Sequence, residues 1–314
     1  MRGHVAVVDA AGIVLGGAGD PGFVTTLRSC VKPLQALPFV RLAADQLGAA
    51  DAELAIACAS HNGEPVHVET VLRLLGRAGL EEAALSCGPQ LPMDEEAARA
   101  ILAAGEEPGR VHNMCSGKHA AMLVTCHTRG WPVAGYAEPG HPLQAEIRRI
   151  MGGLGDVDLD TVPVGIDGCG LPTHGVPLHV LARMFAAAAS DDGFRRCQDA
   201  MAAHPHLVAG RGRFDTALLA AAGRDLTVKG GGAAVWVAVQ RPGGPAVAIK
   251  LEAGDQTAIP AVALAALERL GWIGEAASED IGLSPYRRSV LRNWEGTEVG
   301  EVTVASGWAD SLVG

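Results

Sequence analysis

Lysine is scarce in this sequence. Of its 25 basic residues only four are lysines (Lys32, Lys118, Lys229 and Lys250), and the rest are arginines. Aromatic residues are also few, at 4% of the chain against 48% hydrophobic overall, so the core must be built from Ala, Val, Leu and Ile. No apolar run approaches the roughly 20 residues that a bilayer span requires. There is no run of like charges, and a net charge of -10 without a basic stripe argues against nucleic acid and anionic membranes as partners. The start, MRGHVAVVDAAG, is a short apolar stretch broken by Asp9 and reads as a strand, not as a signal peptide. The expected location is the cytoplasm. Seven cysteines, an odd number, do not read as a disulfide framework. Cys58, Cys87, Cys126 and Cys197 fall in apolar or helical contexts and read as packed thiols.

The scarcity of lysine sharpens what is there. Arginine cannot lose its proton in a protein, whereas a buried lysine can, so each of the four is a pointer to chemistry. The chain opens with a hairpin pattern, His4 to Asp9 and Ile13 to Gly16. Toward the other end, Leu226 to Lys229, Ala233 to Gln240 and Ala246 to Leu251 are strand-like, and Thr257 to Leu270 reads as an Ala-rich helix. Between them lie helical spacings from Pro33 to Leu47, Glu64 to Ala78, Asp94 to Ala104, Lys118 to Arg129, Pro142 to Met151, Pro177 to Ala189, Phe194 to Ala203 and Phe214 to Ala222. The pattern predicts one domain over residues 1–314, of α/β (α+β) class. An antiparallel sheet comes from both chain ends (about 1–50 and 215–314), flanked by helices, with an inserted helical subdomain (about 51–214). The polar segment from Ala276 onward, strand-like from Glu301 to Ala305, is given no role.

Three short motifs carry chemistry in this chain order. In Ser29-Cys30-Val31-Lys32, spacing i to i+3 on a helix would face Lys32 toward the Ser29 hydroxyl, and Pro33 marks a first helical turn. Alone it reads better as a serine cap with a surface lysine. Ser60-His61-Asn62-Gly63 offers a hydroxyl and an amide on a loop, or simply a turn before a helix. Lys229-Gly230-Gly231-Gly232 ends a strand with glycines that permit close backbone approach, or forms a loose loop. Together, S-x-x-K, S-x-N and K-x-G are the signature of penicillin-recognising serine enzymes, and the layout of sheet and helices suits that scaffold. Two lysines converging on two serines would depress each other's pKa and supply a base near neutral pH. Cys115 and Cys169, on Gly-containing loops with His and Asp beside them, could hold a metal or could simply be packed; their spacing is not that of a zinc finger. Gly17 to Gly22 matches G-x-G-x-x-G only with Pro21 inside it and reads as a turn. Gly117-Lys118 lacks the Ser/Thr of a phosphate loop.

From His4 to about Gly300 the chain resembles the L-asparaginase II family of rhizobial, zinc-containing type. The stretches that carry the resemblance are RSCVKPLQALP from Arg28, ACASHNGEPVH from Ala57, HNMCSGKHAAML from His112, GIDGCGLPT from Gly165, AHPHLVAGRGRFDT from Ala203 and VKGGGAAVW from Val228. The resemblance implies a scaffold similar to serine β-lactamases and glutaminases, and hydrolysis of L-asparagine to L-aspartate and ammonia. It implies two catalytic pairs, Ser29 with Lys32 and Ser60 with Lys229. It implies one zinc per chain on Cys115, Lys118 and Cys169, with water completing the site and Asp167 beside it. Arg28 and His119 fall at positions that resemble substrate-contacting ones, Asp167 could hold that water or the substrate amine, Asn62 on its loop is the further substrate-binding candidate, and a homodimer is expected. The chain departs from the family in two places: Cys30 stands where Ala or Ser is common, and Ala233-Ala234 stand where Glu-Gly is expected. Alternatives are a glutaminase, a β-lactam- or peptide-directed acyl hydrolase, or an inactive zinc-binding scaffold.

Overall fold

The computed structural model describes residues 1–273 and 282–312. Its strands are Gly3–Val8 (β1), Val14–Ala18 (β2), Val24–Thr26 (β3), Val164–Ile166 (β4), Pro172–Pro177 (β5), Leu226–Gly231 (β6), Val235–Gln240 (β7), Ala246–Leu251 (β8), Ser289–Arg292 (β9) and Glu298–Val302 (β10). Its α-helices are Lys32–Gln35 (α1), Leu37–Phe39 (α2), Asp51–Ala57 (α3), Pro65–Gly76 (α4), Glu95–Ala104 (α5), Ser116–Arg129 (α6), Pro142–Gly155 (α7), Leu178–Ala188 (α8), Asp192–Ala203 (α9), Pro205–Val208 (α10), Phe214–Ala222 (α11) and Ile259–Arg269 (α12). The protein is therefore a mixed α/β chain with antiparallel sheets flanked by helices. It divides into two compact units: one of residues Met1–Cys30, Gly175–Ala189 and Ala217–Gly314, the other of Val31–His174 and Ser190–Thr216.

The first unit is organised by a five-stranded antiparallel sheet in the order β2-β1-β8-β7-β6. The two chain ends meet where β1 pairs with β8, Val5 opposite Ile249 and Val7 opposite Val247. In β8, AVAIKL, every residue is buried. Burial on both faces explains why Ala246 to Ile249 read as an apolar run with no alternation, Lys250 alone interrupting it before Leu251. Helix α8 packs on β1, β7 and β8, and α12 on β7 and β8. Helix α8 thus belongs with the sheet although its place in the sequence put it within the expected helical insert. The segment expected from Ala276 begins outside the described residues; its described part forms a separate hairpin, β9 with β10.

The second unit is helical. Helix α6 is buried from Ser116 to Cys126, and α3 and α4 pack against it, with α9 against α3. The expected helix from Pro33 to Leu47 is broken into α1, α2 and a π-helical stretch, Val40–Ala44. Pro38 is the physical reason: it has no N–H to bond back and its ring crowds the carbonyl four residues earlier. Helix α3 and the hairpin of β4 with the first half of β5 were not foreseen in the sequence; in the hairpin Ile166 pairs with Pro172 and Val164 with His174.

Candidate active site and metal centre

In the second unit, a small cluster of amines and thiols forms where two local structures end. Cys115 is the residue just before α6, with its N–H held by Asn113 Oδ1 at 2.9 Å, and Lys118 lies in the helix's first turn. Gly117 is required by packing: a Cβ there would lie 2.2 Å from the Ile56 carbonyl oxygen of α3. The Ser-Gly-Lys sequence therefore records close helix–helix approach, not a phosphate loop. Cys169 sits in the turn joining β4 to β5, closed by Asp167 N–H to the Leu171 carbonyl and Gly170 N–H to the Asp167 carbonyl, both at 2.8 Å. Gly170 has φ +86°, the left-handed region that favours glycine.

These elements bring Cys115, Lys118 and Cys169 together. Lys118 Nζ lies 3.3 Å from Cys169 Sγ, and the Cys115 and Cys169 thiols act on each other electrostatically. Cys115 is held well below the ordinary thiol range, first by the neighbouring Cys169 thiol and then, against the cost of burial, by the charges of Lys32 and Lys118. Cys169 is correspondingly raised, by Cys115 and by burial. Burial would lower the Lys118 amine, but Cys169, Cys115 and Asp167 together hold it up. The donor set suits a borderline-soft divalent metal. A tetrahedral zinc with Zn–S of ~2.3 Å and Zn–N of ~2.0 Å separates a sulfur and a nitrogen ligand by about 3.5 Å, close to the spacing already present. The residues fit the ion.

Lys32 is fully buried in the same unit. Its Nζ donates to the carbonyls of Ala59 (2.6 Å) and Met114 (3.3 Å). Its pKa is lowered, first by burial and then by the Lys118 charge, against the opposing pull of Cys115 and Cys169. The Ala59 carbonyl leads directly into the Ser60-His61-Asn62 loop. That loop is fixed by Ser60 N–H to the Val208 carbonyl (2.9 Å), His61 N–H to the Met114 carbonyl (3.2 Å) and His61 Nε2 against Ser116 Oγ (3.0 Å). Ser60 is buried at the head of this loop.

Asn62 has a structural occupation. Its Nδ2 donates to the Arg211 carbonyl at 3.0 Å and its Oδ1 accepts from Arg213 at 2.9 Å, so both ends of the amide are used. Gly210 makes room for it, since a Cβ there would lie 2.7 Å from Asn62 Nδ2. His119 presents the opposite case. Its Nδ1 faces Tyr136 Oη (2.7 Å) and Ser86 Oγ (3.3 Å), while its Nε2 is buried with no hydrogen-bond partner among the described residues. Burial and the charges of Lys118 and Lys32 keep the ring neutral, its pKa well below the usual value. The phenol also accepts from Ser86 N–H (2.8 Å). A buried polar atom left unpaired costs about 1–3 kcal/mol, so Nε2 is poised for a hydrogen-bonding partner.

The first unit holds Arg28, Ser29 and Lys229. Arg28 to Val31 form a 3₁₀ turn, a tighter setting for Ser29 than the α-helical first turn that the sequence predicts. Arg28 adopts φ +49°, a left-handed conformation that costs a non-glycine residue on the order of 1 kcal/mol or more and that recurs at functional positions. Ser29 is half-buried. Lys229, 1% exposed, donates to the Gly230 carbonyl at 2.7 Å.

A second group could hold a metal: Glu64, His67 and His206 bring their ligand atoms within 4.8 Å of one another. The motifs did not point to it, because Glu64 and His206 meet only in the fold. Both nitrogens of His67 are engaged, however, Nδ1 accepting from Glu64 N–H (3.1 Å) and Nε2 donating to the His206 carbonyl (3.0 Å). Glu64 also accepts from Arg211 N–H and His206 Nε2. A metal there would have to displace these bonds, whereas the thiol–amine cluster needs only to lose protons.

The comparison with family models gives the class first: that of amidohydrolases. The sequence model of the family described as L-asparaginase II matches residues 1–304, and the chain belongs to that family. Among curated proteins, no sequence matches the chain. No helix among the described residues is long and apolar enough to cross a membrane.

Proposed function

We propose that the protein is an L-asparaginase, acting through an acyl-enzyme on a scaffold similar to the serine β-lactamases and glutaminases. The observation that carries the reading is the fully buried amine of Lys32, three residues after Ser29 in the family's S-x-x-K, with a pKa lowered by burial. An amine that gives up its proton easily is the partner a serine hydroxyl needs. In this reading Ser29 Oγ attacks the side-chain amide carbonyl of L-asparagine, and its proton passes to the neutral Lys32 amine. Backbone N–H groups stabilise the oxyanion. Ser60 and Lys229 carry a proton to the departing nitrogen; the C–N bond breaks and ammonia leaves. Water then attacks the ester, restoring Ser29 and releasing L-aspartate. Arg28, Asp167 and His119, through its unpartnered Nε2, contact the substrate; Asn62 acts through the loop it ties down.

Cys115, Lys118 and Cys169 would hold one zinc per chain, with Asp167 beside it; when bound, the ion supplies positive charge that orients a polar substrate. We further propose that residues 1–314 act as one functional domain, as a homodimer and in the cytoplasm. Ser29→Ala should cut ammonia release by at least ~10³-fold with the fold intact; undiminished turnover removes Ser29 from its role. Running the assay with L-asparagine and L-glutamine side by side separates asparaginase from glutaminase. A zinc-loaded protein that releases ammonia from neither would be an inactive scaffold.

A further inference from the structure

Three of the four lysines have been placed; the fourth, Lys250 in β8, has not. It lies on one face of the five-stranded sheet, in a row formed by Gly231, Val235, Lys250 and His4, each opposite the next. Lys229, two residues before Gly231, points to the same side. The segment carrying Ser29 lies on that side too, because a Cβ at Gly231 would meet Cys30 Sγ at 2.9 Å and Arg28 Cβ at 3.2 Å. Lys250 is 7% exposed, and its Nζ donates to the Ala233 carbonyl and to no other group among the described residues. The Arg28 guanidinium covers the preceding residue: a Cβ at Gly232 would lie 2.7 Å from Arg28 Nη2. Two cations thus bracket the turn Gly232–Ala234, whose Ala233 and Ala234 are both left-handed (φ +57° and +53°). His4 offers no compensation, since it is engaged with Glu252 Oε1 (3.1 Å) and with Asp20 N–H. Burial and the Arg28 charge both lower the Lys250 pKa, and among the described residues no carboxylate acts on it.

A buried ammonium with one carbonyl partner and, among the described residues, no carboxylate acting on it is costly unless an anion completes it. We infer that Lys250, together with Arg28, forms a carboxylate-binding subsite that receives the α-carboxylate of an amino-acid substrate. The inference deepens the amidohydrolase reading and rests on it for the identity of the ligand. Lys250 also holds the Ala233 carbonyl, so the test must separate charge from structure. Titration calorimetry on the full-length, zinc-equilibrated protein would compare L-aspartate, its α-amide and inorganic phosphate.

The wild-type protein should prefer L-aspartate to its α-amide by at least about ten-fold. Lys250→Met should weaken aspartate binding by about ten- to hundred-fold and abolish the preference. Lys250→Gln keeps a donor for the Ala233 carbonyl without the charge, should behave as the Met variant does, and carries the test if that variant does not fold. Aspartate binding unchanged in a folded Gln variant overturns the assignment, as does phosphate binding as tight as aspartate or a wild-type protein indifferent to the carboxylate. Aspartate binding with the expected preference, in a protein that releases no ammonia from either amide, would sink the asparaginase reading and leave this subsite standing.

Discussion

Replacing Gly117 with alanine should destabilise the protein, against the usual trend for helices. Alanine in place of glycine inside a helix ordinarily gains roughly 0.5–1 kcal/mol, because glycine loses more backbone entropy on folding. Gly153 in α7 is such a site, with nothing within 4 Å of where a Cβ would stand, and Gly153→Ala should show that gain. At Gly117 the added methyl would sit 2.2 Å from the Ile56 carbonyl oxygen and 2.8 Å from Ile56 Cγ1. The obstruction is main chain in a packed helix and cannot swing aside. Moving α6 and α3 apart enough to admit it should cost about 1–3 kcal/mol, the usual range for overpacking, more than offsetting the entropic gain. Urea unfolding of the two variants and the wild type reads both signs in one experiment. Because Cys115 and Lys118 flank the site, the displaced helix start should also weaken zinc uptake. A Gly117→Ala protein as stable as Gly153→Ala would refute the packing argument.

Two further outcomes follow from the same geometry. Cys115→Ser should lower bound zinc from about one ion per chain to near zero by elemental analysis after dialysis, since one of two thiolate ligands is lost; full retention would direct attention to Glu64, His67 and His206. His61 and His67 have folded pKa values below the free value of ~6.5, burial being the main cause for each. The unfolded chain therefore takes up protons that the folded chain refuses, and stability should fall as pH drops below about 6.5, by up to ~1.4 kcal/mol per pH unit for each ring. Unfolding free energies that stay flat between pH 6.5 and 5 would contradict that assignment.

What could be read from the sequence was whatever is encoded within a few residues. The strands β1, β2, β7 and β8 show as short local apolar runs and most long helices show their period directly, and placing one sheet at both chain ends follows from where those runs lie. Prolines 33 and 38 were visible too, but a helical spacing of apolar residues masked the break that Pro38 imposes. The hairpin at Cys169 was missed because Gly165, Gly168 and Gly170 dilute any strand period. Asn62 illustrates the harder limit. Its residue type suits substrate binding, yet its amide is consumed by Arg211 and Arg213, some 150 residues away. The Tyr136–His119 bond and the isolation of Lys250 likewise depend on partners that no local pattern announces. Scarcity of lysine drew attention to Lys250, but composition alone assigned it no role.

The pairing of Gly3 with Leu251 bears on how the chain comes into being. During synthesis at about 5–20 residues per second, the N-terminal hairpin must wait roughly 12–50 seconds for its neighbouring strand to emerge. Throughout that interval β1 exposes an unpaired edge of Val and Ala, the kind of surface that recruits foreign strands. Yield in a fast-translating host should therefore depend more on temperature and chaperone supply than the stability of the finished protein would suggest.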